Sequence, residues 1–318
     1  MNQNALSEFA VAPSAVIVHD PVETGAVKAL AAVDPAELQD RYLFRQAPDA
    51  SLFSEQHRAF VEVLGQNVGQ VHYLADLISG DPAFEQAATN PNQVYTRDAL
   101  ITVPWWAGQY LPGNMMSPVR QPETAAMETA AQALGLTRLA TVPKELFLEG
   151  GDVIPFVREG RRVLLVGYGR RTQMATLEWL ADTLIPQHLD EILGVQLAPW
   201  RINLDGGMVP VAEDVVICHP DSLLDGFAWD AHGRSTVNVL DMLRDLGMQV
   251  IDVSLEDSLA RQAANCLCLG GRRIVCYDMT PTALARLADA GVEALTVPGS
   301  ELVKGTGGPR CMSRPVYA

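Results

Sequence analysis

One feature constrains this chain more than any other: a short apolar run followed by a helical pattern, repeated five times. The runs are Ala15-Val-Ile-Val18, Ala99-Leu-Ile-Thr-Val103, Arg162-Val-Leu-Leu-Val166, Val215-Val-Ile-Cys218 and Arg273-Ile-Val-Cys276. Each is rich in β-branched residues and bounded by polar, Gly or Pro positions, which predicts a strand. Between them, helical spacing predicts helices over 54–65, 123–134, 173–184, 235–246 and 282–290, the last opened by Thr280-Pro281. Recurrence at roughly fifty to eighty-five residues reads as a loose internal repeat. Periodicity leaves two architectures open: an ordinary α/β sheet, or a ring of five small α/β units around a central site.

The chain has 318 residues, 48% of them hydrophobic, enough for one sizeable core. No Ser/Gly/Pro-rich linker divides it, so residues 13–318 are expected as one domain, with residues 1–12 a loose tail. Its 38 acidic and 23 basic side chains leave a net charge of -15. With no basic run to neutralise phosphates, nucleic acid and anionic membrane are not expected as partners. Neither a secretory leader nor an apolar run of about 20 residues is visible. The five cysteines (218, 266, 268, 276 and 311) lack metal-ligand spacing, which suits a reduced, cytoplasmic protein with no bound metal. Cys266 and Cys268, two apart in an apolar run, are expected as buried structural thiols.

Four segments suggest chemistry. Gly305-Thr-Gly-Gly-Pro-Arg-Cys311-Met-Ser presents a thiol from a glycine-rich turn where a ligand can approach closely. Leu148-Glu149-Gly-Gly-Asp152-Val places two carboxylates around two glycines. Tyr95-Thr-Arg-Asp98 and Ile202-Asn203-Leu-Asp205 each carry one acid near a strand. Singly, each reads more readily as a plain loop or turn.

Taken in this order, and with Gly167-Tyr-Gly-Arg-Arg-Thr172, these segments resemble the arginine deiminase family. That family lies among the guanidino-modifying enzymes, with dimethylargininase and the amidinotransferases. The resemblance covers about residues 12–318. It implies the pentein fold, a five-bladed α/β propeller of ββαβ units, and an amidine hydrolase that needs no cofactor. It also implies a nucleophile at Cys311 that attacks a guanidinium carbon and leaves a covalent thiouronium, which water then hydrolyses. Asp98 and Asp205 are implied to grip the terminal nitrogens of this planar cation, with Glu149 a third acid beside them. Asn92, Arg120 and Arg171 match residues that hold the amino-acid end, which favours arginine or a close analogue over agmatine. Citrulline and ammonia are the expected products. A homo-oligomer is left open.

One position departs from the family. Where it has a histidine that shuttles protons, this chain has Asn203, whose amide cannot titrate. Three accounts stay open: a substitution that traps the intermediate, a divergent reaction such as amidino transfer to an amine, or binding without turnover. The literal His188-Leu-Asp190 is expected to be a helix end, and His219 a strand-end residue. Trp105-Trp106 and Met115-Met116 are expected in a core or interface, the alternative being closure over the substrate.

Overall fold

Each of the five strand runs read from the sequence lies in a different sheet of a mixed α/β fold. The structure, a computed structural model, describes residues 6–317. A single pairing pattern recurs: a middle strand lies antiparallel to one neighbour and parallel to a second. Arg161–Tyr168 pairs antiparallel with Val153–Arg158 and parallel with Glu191–Leu197. Val215–Cys218 stands likewise between Met208–Ala212 and Gln249–Asp252, and Arg273–Tyr277 between Leu267–Cys268 and Glu293–Val297. In the first sheet, Ala15–Val18 runs parallel to Gln70–Tyr73 and antiparallel to Arg314–Val316, so both ends of the described chain meet there.

Parallel neighbours need a crossover, and helices supply it. Ala50–Asn67, Gln121–Ala133, Met174–Leu184, Val239–Asp245 and Pro281–Asp289 fall where the helical patterns were read. Asp49 starts the first by accepting from Leu52 N at 2.9 Å, and Asn238 caps the fourth through Asp241 N at 2.9 Å. Helix cover explains why Ala15–Val18 and Val215–Cys218 are buried at every position rather than alternately.

Three expectations need correction. The run at 99–103 forms only Leu100–Ile101, and the middle strand of that sheet is Gln109–Pro112, hidden in the sequence by flanking Gly108 and Gly113. The helix expected over 235–246 starts at Val239, because Gly233–Val237 pairs as an edge strand with Leu223–Asp230. Of the segment expected as a loose tail, residues 1–5 lie outside the described residues, but Ser7, Glu8 and Phe9 are buried. Phe9 packs edge-on against Phe156 with ring centroids 6.2 Å apart, and Glu8 bridges Arg97 and Arg310 at 2.8 Å each.

Burial alone raises the Glu8 carboxyl, but Arg310 and Arg97 outweigh it and pull the pKa from 4.5 to about 2. The stabilisation is therefore complete above pH about 4.5 and is lost as pH falls through about 2; a shift of this size is worth about 3 kcal/mol. Glu8→Gln is expected to cost about 3–5 kcal/mol, because it strands buried guanidinium charge. It should also flatten the acid limb of stability against pH. Chemical denaturation from pH 7 to pH 2 measures both, and a variant as stable as the wild type would contradict the pairing.

Candidate functional site

In each sheet, a polar residue stands just before the strand that pairs antiparallel with the middle one. Asp98 precedes Leu100–Ile101, Asp152 precedes Val153–Arg158 and Asp205 precedes Met208–Ala212. Asn265 precedes Leu267–Cys268, and Cys311 precedes Arg314–Val316. Asp98, Asp205, Asn265 and Cys311 line one cavity of about 260 Å³, together with Asn92, Arg120, Arg171 and Asn203.

At its floor, Cys311 Sγ lies 3.5 Å from Asp205 Oδ2 and 3.0 Å from Asn265 Nδ2. Asn265 also accepts from Cys311 N at 3.0 Å, so one amide fixes both the backbone and the sulfur of the cysteine. The glycine-rich loop permits this: a β-carbon on Gly308 would stand 2.8 Å from Asn265 Oδ1. Adjacent residues divide the work. Arg97 Nε donates to Arg310 O, and Arg97 N donates to Cys311 O, both at 3.1 Å, while Asp98 next to it faces the cavity. Arg310 reaches Asp205 Oδ2 at 2.9 Å as well as Glu8, while Cys311 next to it faces the cavity.

Gly151 lets the acids converge. Its N–H donates to Asp98 Oδ1 at 2.9 Å. A β-carbon there would stand 2.6 Å from that oxygen and 3.3 Å from Asp205 Oδ1. Burial raises the Cys311 thiol well above its usual range, and the charges of Asp205 and Asp98 add to the rise. Asp205 is itself raised, by burial first and by Asp98, against the pull of Arg310.

A model of the arginine deiminase family matches residues 86–318. The curated arginine deiminase of Mycolicibacterium gilvum is 32% identical over a 248-residue alignment that covers 71% of this chain and 60% of that protein. That of Mycobacterium marinum is 30% identical over 249 residues. The chain belongs to the arginine deiminase family. It spans about 60% of the length of the curated relatives it matches. The N-terminal domain of ArgZ, an arginine dihydrolase from cyanobacteria solved with its product, superposes with a TM-score of 0.72 at 20% identity. That match covers 95% of this chain and 97% of the domain. DDAH from Pseudomonas aeruginosa, solved with citrulline, gives 0.69 at 17% identity over 96% of this chain and 100% of the other. Both likenesses bear on the fold.

The residues expected to meet the substrate also make contacts within the chain. Arg120 and Arg171 line the cavity, but their guanidinium groups sit on acids. Arg120 donates to Asp98 Oδ2 at 2.7 Å and grips Glu123 through Nε at 2.9 Å and Nη2 at 2.7 Å. Arg171 donates to Glu149 Oε1 at 3.0 Å. The arginines expected to hold a carboxylate of the ligand are thus paired within the chain. Glu149 is fully buried, where it accepts from Arg171 and Asn203, and it does not itself line the cavity. Asn92 donates to Tyr42 O at 2.8 Å.

Asn203 Nδ2 donates to both Glu149 Oε2 and Asp152 Oδ2 at 3.1 Å. Burial raises Asp152 well above the usual carboxylate range, and the Glu149 charge raises it further. Among the described residues, no histidine lines the cavity. His188 lies in the turn that follows the helix Met174–Leu184, four residues past the end expected for it, and its carbonyl accepts from both Trp105 and Trp106 Nε1 at 3.1 Å. The tryptophan pair therefore packs with the core and does not close over the site. His219 is buried at a strand end and meets Ser222 Oγ at 2.9 Å.

Glu8, Asn265 and Arg201 shape the site without having been read from the sequence. Asn265 alone left a signal, since it stands just before a strand in the same place as Asp98 and Asp205.

Proposed function

We propose that this chain attacks the guanidinium carbon of arginine, or a close analogue, with Cys311 and hydrolyses the adduct to citrulline and ammonia. The observation that carries this reading is the Cys311 sulfur on the floor of a cavity, 3.5 Å from Asp205, with Asp98 in the same wall. A flat cation seated between these acids takes over Asp205 from the thiol, whose proton passes to the guanidinium nitrogen that departs. The thiolate forms the S–C bond, and the C–N bond breaks as that nitrogen leaves as ammonia. Water next forms the C–O bond as the S–C bond breaks; one of its protons returns to the cysteine sulfur and the other goes to solvent. We also read the five sheets as blades of a ring. Their shared pairing pattern, the polar residue leading each, and the pairing of the first strand with the last support it.

A second reading is favoured by Asn203, which cannot activate water: transfer of the amidino group to an amine. Product analysis with arginine separates the two. Citrulline with ammonia supports hydrolysis, ornithine with an amidinated amine supports transfer, and neither product overturns both.

The raised Cys311 thiol gives a pH prediction. Its thiolate is scarce at pH 7 in the free chain, and its fraction grows about tenfold per pH unit until the pKa is passed. Alkylation by neutral iodoacetamide is therefore expected to accelerate steadily beyond pH 9. A cationic chloroacetamidine, which Asp98 and Asp205 attract, is expected to react readily at pH 7. An iodoacetamide rate already level below pH 8 would contradict the raised thiol.

A further inference from the structure

The sulfur of Cys311 sits in surroundings that oppose a negative charge on it. Asp205 Oδ2 accepts from the thiol at 3.5 Å, and Asp98 lines the same cavity. Both acids suit a cationic ligand, and both disfavour the thiolate that must attack it. Among the described residues, no lysine, arginine or histidine hydrogen-bonds the sulfur.

Asn265 offsets this. It is fully buried and lines the cavity, and its amide can sit in one orientation only. Cys311 N, which can only donate, lies 3.0 Å from Oδ1, so the oxygen must face it. Nδ2 is thereby turned to the sulfur, also at 3.0 Å. Reversed, the amide would set N–H against N–H. Asn265 is itself held on both sides of its peptide: its N donates to Gln262 O at 3.0 Å, and its O accepts from Arg310 N at 3.4 Å. Gly308 packs against the side chain, where an added β-carbon would stand 2.8 Å from both Cβ and Oδ1. The Asn265 N–H works against the rise that burial, Asp205 and Asp98 impose on the thiol.

We infer that Asn265 is a catalytic residue, whose Nδ2–H donates to the Cys311 sulfur whenever that sulfur carries the negative charge. This rests on the function proposed above and adds a residue to its machinery. The charge appears twice in that reaction. Sulfur bears it after the thiol proton has left and until the S–C bond forms. It bears it again as the S–C bond of the adduct breaks and the electron pair returns to sulfur, before a proton joins it. In the thiol and in the adduct, sulfur has no negative charge, and the same contact is weak. A donor that strengthens only as charge develops lowers the barrier without tightening the binding of the cation.

The test is the pH profile of Cys311 labelling by chloroacetamidine, which reads attack by sulfur without turnover and is followed by mass spectrometry of the Cys311 peptide. In the wild type, labelling is expected to saturate with reagent, because Asp98 and Asp205 hold the cation. Asn265→Ala should leave the half-saturating concentration unchanged. It should slow maximal labelling at pH 7 by about 10–10²-fold, the scale of one hydrogen bond to a charged group. The rising limb of the profile should move up by about 1–2 pH units, so that the two profiles converge in alkali. An amide that merely anchors the backbone would slow labelling equally at every pH, and an unshifted limb overturns the inference while the proposed function stands. A variant whose site no longer forms would lose saturation. Gly308→Ala then decides, since it displaces the amide without deleting it: a smaller shift in the same direction supports the inference, and none overturns it. Wild-type labelling that neither saturates nor outpaces neutral iodoacetamide overturns the proposed function itself, and this inference with it.

Discussion

Replacing Asn203 with histidine is expected to raise citrulline release from arginine by about 10²–10⁴-fold, the usual worth of one general acid or base. Asn203 lines the cavity with its amide between Glu149 and Asp152, at 3.1 Å from each. It holds the geometry of the site but cannot deliver a proton to departing ammonia or take one from water. A histidine there would meet the same two acids, and the Glu149 charge favours imidazolium and would carry its pKa above the ordinary 6.5. Activity should then fall on the alkaline side as the ring loses its proton. Citrulline release measured from pH 5 to pH 10 tests both points. An unchanged rate would show that another group already moves the proton.

Gly151→Ala is expected to cut the rate of Cys311 modification by arginine about 10²-fold or more, with a smaller loss of stability. The new methyl would sit 2.6 Å from Asp98 Oδ1 and 3.3 Å from Asp205 Oδ1, closer than ordinary contacts allow. Asp98 cannot swing away freely, because Arg120 holds its other oxygen at 2.7 Å and Gly151 N holds this one. The carboxylates must therefore separate, and misplacement by about 1 Å costs on the order of 10²-fold in a positioned reaction. Adduct formation followed over time, beside a thermal melt, distinguishes a shifted cage from an unfolded chain. Wild-type rates would mean that Gly151 merely completes a turn.

These effects show which parts of the molecule the sequence could disclose. The middle strands were legible where β-branched residues form unbroken runs, as in Val215–Cys218, because burial on both faces demands such runs. Gln109–Pro112 escaped notice because its polar first residue and the glycines on either side imitate a loop. Cys311, Asp98 and Asp205 stand out in the sequence only through their resemblance to the family's motifs, since each segment alone reads as a turn; the structure brings all three to one cavity. Glu8 could not, since only the tertiary structure joins it to Arg97 and Arg310, across 89 and 302 positions. Arg201 was hidden for the same reason: its partners Ser222 and Ser258 come from two other segments. Motif matching sets Arg120 and Arg171 against the ligand's carboxylate; that Glu123 and Glu149 hold them at the cavity is visible only in the tertiary structure.

Intact-mass spectrometry of the chain after incubation with arginine asks directly whether sulfur attacks the guanidinium carbon. A covalent increment confined to Cys311, absent in Cys311→Ser and accompanied by released ammonia, is the expected result. An unmodified mass with no ammonia at any incubation time would contradict it.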